Sequence, residues 1–127
     1  MEIVFSWNHD ADGSTPVSKS NLGSHEDFIL LDCVLMDSGG LGDAETIPWL
    51  NEGIKRIRSV ATGELESSDW SRETWRVEFR NNTATVYSLH DLECSQVLSL
   101  GAFSKALQEW TAFLQSQPND RSVSFSI

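Results

Sequence analysis

The sequence predicts a single α+β domain over residues 1–127: an antiparallel sheet of about five strands with two helices packed on one face. Three observations carry that prediction. Residues 75–89 read Trp-Arg-Val-Glu-Phe-Arg-Asn-Asn-Thr-Ala-Thr-Val-Tyr-Ser-Leu, two alternating runs joined by Asn81-Asn82, the pattern of a half-buried β-hairpin. Two other segments, 48–62 and the stretch between Ser99 and Pro118, repeat apolar residues at helical spacing. Both ends of the chain alternate, with Ile3, Phe5 and Trp7 at one and Val123, Phe125 and Ile127 at the other, as strands with one buried face do.

Taken in order, residues 2–7 form the first strand. Residues 8–27 are rich in Asp, Ser, Gly and Asn and read as a long loop. Its Asn8, Asp10, Asp12 and Gly13 mimic the start of a calcium-binding loop, but the position that needs a bidentate Glu holds Lys19, so calcium is not expected. The run 28–36, Phe-Ile-Leu-Leu-Asp-Cys-Val-Leu-Met, is almost continuously apolar and reads as a central strand covered on both faces. Asp32 in its middle marks either an edge or bend of that strand or a partly buried carboxylate with a partner. Residues 37–45 form a flexible acidic connection whose glycines fit no phosphate-binding pattern.

The first helix is placed at 48–62, with Pro48 in its first turn and Gly63 just past its end. Leu50, Ile54, Ile57 and Ala61 make its buried stripe, and Lys55, Arg56 and Arg58 form the chain's basic cluster on the remaining circumference. Residues 64–72 are a second acidic stretch around an isolated Trp70. In the hairpin, the two-residue turn sets Phe79 opposite Ala84, Val77 opposite Val86 and Trp75 opposite Ser88. Arg80 with Thr83, Glu78 with Thr85 and Arg76 with Tyr87 then share the other face, and a slip of one residue would destroy both faces. Residues 90–93 turn the chain out of the hairpin and 94–98 add a short extended piece. Ser99 caps the second helix, whose stripe is Phe103, Leu107, Trp110 and Leu114, widened by Phe113.

Nineteen acidic residues against nine basic give a net charge of −10. Such a surface repels nucleic acid and anionic membrane and attracts cationic partners, besides aiding solubility. The N-terminus lacks a basic, apolar leader pattern and no run approaches the roughly 20 apolar residues of a membrane span, so a cytoplasmic protein with reduced Cys33 and Cys94 is expected. His90 and Cys94 are near in sequence, but flanking Asp91 and Glu93 disfavour a thiolate. His25, Cys33, His90 and Cys94 lack zinc-ligand spacing, and no hydrolase, metalloprotease or kinase motif is present. No catalytic residue, metal or cofactor is therefore expected.

The layout of strand, long loop, apolar strand, helix opening on Pro48-Trp49-Leu50, hairpin, and the final segment Leu-Ser-Leu-Gly-Ala-Phe-Ser-Lys-Ala-Leu-Gln-Glu-Trp-Thr-Ala-Phe-Leu at 98–114 resembles small bacterial immunity proteins. These accompany polymorphic toxins and contact-dependent growth inhibition systems. The resemblance covers roughly residues 46–116 and lies in core positions. It implies a cytoplasmic, non-catalytic protein that neutralises one cognate toxin domain, often a nuclease. The acidity suits a basic toxin domain, since opposite charge speeds association. The alternatives are a small enzyme or ligand-binding domain, and an interaction protein with another partner. The acidic segments 37–45, 64–73 and 91–93 are expected to gather as one rim, with Glu64, Glu66, Asp69, Trp70 and Glu73 as the partner-binding residues. Trp70 either closes over the core or, facing solvent, is an interface anchor.

Overall fold

The computed structural model describes residues 2–11, 13–21, 30–37, 42–72, 74–91, 93–116 and 122–127. Along the chain these give β1 (Glu2–Asp10), β2 (Gly13–Asn21), α1 (Leu30–Met36), α2 (Asp43–Ala61), β3 (Ser67–Ser71), β4 (Trp75–Arg80), β5 (Thr83–Ser88), β6 (Ser95–Ser99), α3 (Leu100–Gln115) and β7 (Val123–Ser126). The α+β class holds, but the architecture is larger than the sequence suggested. In place of one five-stranded sheet there are two antiparallel sheets, one of three strands in the order β2-β1-β7 and one of four in the order β3-β4-β5-β6. Three helices replace two among the described residues.

The hairpin of β4 and β5 forms in the register its residues dictate, from Trp75 opposite Ser88 to Arg80 opposite Thr83. Asn81 takes φ 54° at the turn, a conformation that asparagine tolerates better than most residues. Val77, Phe79, Ala84 and Val86 are fully buried on the inner face. Ser99 caps α3 by accepting the Ala102 amide at 3.1 Å, and the whole expected stripe of that helix is buried. The Leu100 amide donates to Asn82 O at 2.7 Å, which ties the hairpin turn to the start of α3.

Two segments depart from their expected form. The stretch expected as a loop over 8–27 instead carries the end of β1 and all of β2, which pairs with β1 from Glu2–Asn21 to Asp10–Gly13. β2 escaped notice because its inward positions are small and polar: Ser18, not a large apolar residue, is the buried one. It is an edge strand, where Pro16 and Lys19 are tolerated and discourage further pairing. The calcium-like opening is thus largely strand, and Asp12 lies outside the described residues. Second, the apolar run 28–36 is not a central strand; α1 occupies Leu30–Met36. Leu30, Leu31, Val34 and Leu35 are buried while Asp32 and Cys33 are half-buried. That pairing at intervals of four is helical, and a short apolar run does not by itself separate the two choices.

α2 begins at Asp43, five residues before Pro48, so Pro48 lies inside the helix. Its C-terminal end is as expected, with Gly63 at φ +81° beyond Thr62. Its buried stripe runs through Leu50, Gly53, Ile57 and Val60, while Ile54 is half-buried and Ala61 exposed. The shift follows from Gly53, which packs directly under Trp70.

The helices α1 and α3 lie between the sheets. On one side Phe79 of the four-stranded sheet meets Phe103 of α3 at 5.6 Å between ring centroids. On the other, Phe5 of β1 meets Trp110 edge-on at 4.8 Å and Phe125 of β7 at 5.1 Å. One cluster of buried residues therefore joins both sheets. The two faces of β4 and β5 are unequal as a result: the inner one is core, and the outer one carries no element among those described.

Candidate functional site

The acidic stretch 64–73 is not all loop. Its second half is β3, paired antiparallel with β4 so that Asp69 sits opposite Glu78 and Trp70 opposite Val77. Alternation along β3 sends Trp70 inward and Asp69 outward. Trp70 is 2% exposed. Its ring stacks on Trp49 at 4.1 Å and meets Phe103 edge-on at 6.3 Å, and its indole N–H donates to Trp49 O at 2.9 Å. Trp70 therefore closes the core and is not a solvent-facing anchor. The sequence hid this because β3 offers no second apolar residue to reveal an alternation.

The free edge of β3 is occupied by α2. Trp49 donates its indole N–H to Ser71 O at 3.0 Å, and Arg56 donates from Nη1 to Asp69 O. Arg56 also pairs with Glu52 at 3.1 Å. These side chains satisfy edge carbonyls that would otherwise invite another strand. One of the three residues of the expected basic cluster is thus spent on holding α2 to the sheet. Arg72 stacks over the outer side of Trp49 at 4.4 Å.

Glu64, Glu66 and Asp69 are exposed, and Glu73 lies outside the described residues. Asp69 pairs with Arg76 at 2.8 Å and Glu66 with Arg80 at 3.7 Å. Two of the proposed partner-binding acids thus have cationic neighbours on the outer face of the hairpin. Arg76 lies 5.8 Å from the Tyr87 ring centroid, and Arg76, Glu78, Thr85, Tyr87, Leu89 and Ser95 border a shallow hollow of about 360 Å³. Val97 opposite Thr85 is 63% exposed, and Leu89 is 42% exposed. The polar face of the hairpin was legible in its alternation; its neighbours from β3 and β6 were not, because strand order is a tertiary property.

Of the three acidic segments, Asp37 and residues 91 and 93 gather at one end of the four-stranded sheet, while Glu64 and Glu66 lie at the other. Glu64 and Glu66 lie at the end of the sheet that holds the Asn81-Asn82 turn, next to the Ser67–Arg80 pair. Asp91 and Glu93 lie in the β5–β6 connection at the opposite end, beside the Ser88–Trp75 pair. Asp37 is also at that end, where its Oδ2 accepts the Thr74 amide at 3.2 Å. Six-residue strands put the two ends about 20 Å apart. β3 carries the chain from the first end to the second, so Glu64 and Glu66 enter it at the end opposite to the β3–β4 and β5–β6 connections.

Other candidate groups are placed as follows. Asp32 is the partly buried carboxylate with partners. Its Oδ1 accepts from Ser18 Oγ at 2.6 Å and Ser20 Oγ at 2.8 Å, and its Oδ2 accepts the Ser20 amide at 2.9 Å. The cluster clamps α1 to β2. Burial, with the charge of Asp32 and then of Cys94 adding to it, pushes the Cys33 thiol from its ordinary 9.0 up to about 11, which suits an unreactive thiol. His90 is exposed and its ring makes no bond to Cys94 among the described residues. No three His, Cys, Asp or Glu side chains converge to hold a metal among the described residues, and His25 lies outside them. No helix among the described residues is long and apolar enough to cross a membrane. Comparison of the chain with protein-family models, curated proteins and solved structures gives no match.

Proposed function

We propose that this chain is a non-catalytic immunity protein that binds a basic toxin domain through the outer face of its four-stranded sheet. One observation carries the reading: a solvent-facing sheet surface on which Tyr87, Leu89 and Val97 lie beside Arg76 and are ringed by Glu66, Asp69 and Glu78. Aromatic, arginine and exposed apolar groups within a charged rim are the composition of a protein interface. The net charge of −10 supports a cationic partner. Glu64, Glu66 and Asp69 stay in the proposal as rim charges, and Tyr87 takes the anchoring role that buried Trp70 leaves open.

The test is binding kinetics against the toxin domain encoded beside this gene, at two salt concentrations. Glu66→Lys with Asp69→Lys is expected to slow association about tenfold at low salt and to flatten its salt dependence. Tyr87→Ala is expected to speed dissociation by a similar factor. The exposed pairs with Arg76 and Arg80 contribute ~1 kcal/mol or less each, so both variants stay folded. Wild-type rates in both would remove this face from the interface, and no complex with that domain would remove the reading itself.

A further inference from the structure

An exposed strand edge is a template for another strand unless something blunts it. Three of the sheet edges are blunted. β2 carries Pro16 and Lys19, and the edge of β3 is occupied by Trp49 and Arg56 of α2. On β7, the Lys105 ammonium donates to Ser126 O at 2.8 Å. β6 is the remaining edge. It reads Ser-Gln-Val-Leu-Ser, without a charge or a proline, and Val97 at its centre is 63% exposed.

Two bonds fix which backbone groups of β6 face outward. The Ser88 amide donates to Cys94 O at 3.1 Å and the Leu100 amide to Asn82 O at 2.7 Å. They bracket the β5–β6 ladder, which runs from Thr83–Ser99 to Tyr87–Ser95. Antiparallel strands exchange bonds at every second pair, so Gln96 and Leu98 bond to β5. The N–H and C=O of Ser95 and Val97 and the N–H of Ser99 therefore point away from the sheet, and these groups have no partner among the described residues. The Ser95 and Val97 side chains stand on the outer face. Leu98 faces inward and is buried, and Gln96 beside it accepts the Leu31 amide at 3.3 Å.

We infer that β6 pairs antiparallel with β6 of a second copy of this chain, about a two-fold axis at Val97, so that two four-stranded sheets become one of eight. A register centred on Val97 sets Val97 against Val97 with both bonds exchanged, and Ser95 against Ser99. It is the register that pairs all five residues of the strand, and it matches Val to Val and Ser to Ser. Charge favours a second copy over a cationic partner at this edge. β5 and β6 carry no charged residue, so Arg76, Glu78 and Arg80 of β4 stand two strand spacings, about 10 Å, from the seam. At each end of the seam, Asp91 and Glu93 of one copy approach the N-terminus of α3 of the other. That helix has no acid in its first turn, and the positive end of its dipole faces them. The inference goes beyond the sheet-face reading and does not depend on it.

The test is sedimentation velocity of the full chain over about 1–300 μM, the range that so small an interface calls for. Monomer is expected to give way to dimer as concentration rises. The dimer should gain at high salt, because two chains of net charge −10 repel each other. Amide exchange read by NMR supplies a second measure: the Val97 amide should become protected as concentration rises, while the Gln96 and Leu98 amides are protected throughout. Val97→Lys sets two ammonium groups face to face across the axis and should weaken the dimer at least about tenfold. Its position is exposed and its amide bonds nothing within the chain, so the fold is retained. Val97→Thr keeps the branched shape and the backbone pairing, and should stay within about threefold of wild type. A chain still monomeric at about 300 μM, a dimer that Val97→Lys leaves intact, or a dimer whose Val97 amide exchanges freely would each overturn the inference. So would a monomer that takes up extended peptides along β6, since the edge would then belong to another protein.

Discussion

Gly53→Ala is expected to destabilise this protein although it replaces a poor helix former by the best one in the middle of α2. At an exposed helical position the exchange would gain about 1 kcal/mol. Here the added Cβ would lie 2.7 Å from Trp70 Cε2, 2.9 Å from Nε1 and 3.0 Å from Cζ2. Carbon atoms pack at about 3.5–4.0 Å, so the indole or the helix must retreat by nearly 1 Å. The indole has little room to do so, being held by the Trp49 stack, the Phe103 edge and the bond to Trp49 O. Overpacking of this kind costs about 1–3 kcal/mol, and losing the indole bond costs about 1 more. Set against the propensity gain, a net loss of about 1–3 kcal/mol remains. Gly101→Ala provides the internal control: its Cβ meets nothing, so it should stabilise by about 0.5–1 kcal/mol. Urea unfolding followed by tryptophan fluorescence separates the two, with the Gly53→Ala midpoint falling by about 0.5–2 M and the Gly101→Ala midpoint rising by about 0.3–0.7 M. A Gly53→Ala midpoint at or above wild type would refute the packing of α2 against Trp70.

Two further outcomes test the α1 region. Asp32→Ala removes the acceptor of Ser18 Oγ, which is buried, and should cost about 1–3 kcal/mol; hydrogen exchange at the Ser20 amide should quicken, and unchanged protection there would show that the carboxylate does not hold α1 to β2. Because the fold raises the Cys33 pKa from 9.0 to about 11, the unfolded chain loses that proton first. The contribution to stability is thus fully present below pH 9.0 and lost as pH rises through about 11. Iodoacetamide labelling of Cys33, read by mass spectrometry, should stay slow until the pH nears that range, and rapid labelling at pH 8 would contradict its burial.

What the sequence determined by itself were elements whose signals are local. The β4–β5 hairpin follows from strict alternation around Asn81-Asn82, α3 from the Ser99 cap and the spacing of Phe103, Leu107, Trp110 and Leu114, and the end of α2 from Gly63. In each, one short stretch contains both the pattern and its boundary. The outer face of the candidate site was legible to the same extent, through Arg76, Glu78 and Tyr87. Tertiary structure alone decided the rest. β2 is a strand because β1 offers its backbone and Asp32 its carboxylate, although Ser18 and Ser20 carry no apolar signal. The run 30–36 is helical because it packs between two sheets, an environment that composition cannot distinguish from the middle of one. Trp70 is core because Trp49, Gly53 and Phe103 converge on it from two helices. Glu64 and Glu66 are parted from Asp37, Asp91 and Glu93 because β3 carries the chain across the sheet between its two ends. Burial and charge neighbourhood are sums over groups distant in the chain, and those sums exist only once the chain has folded.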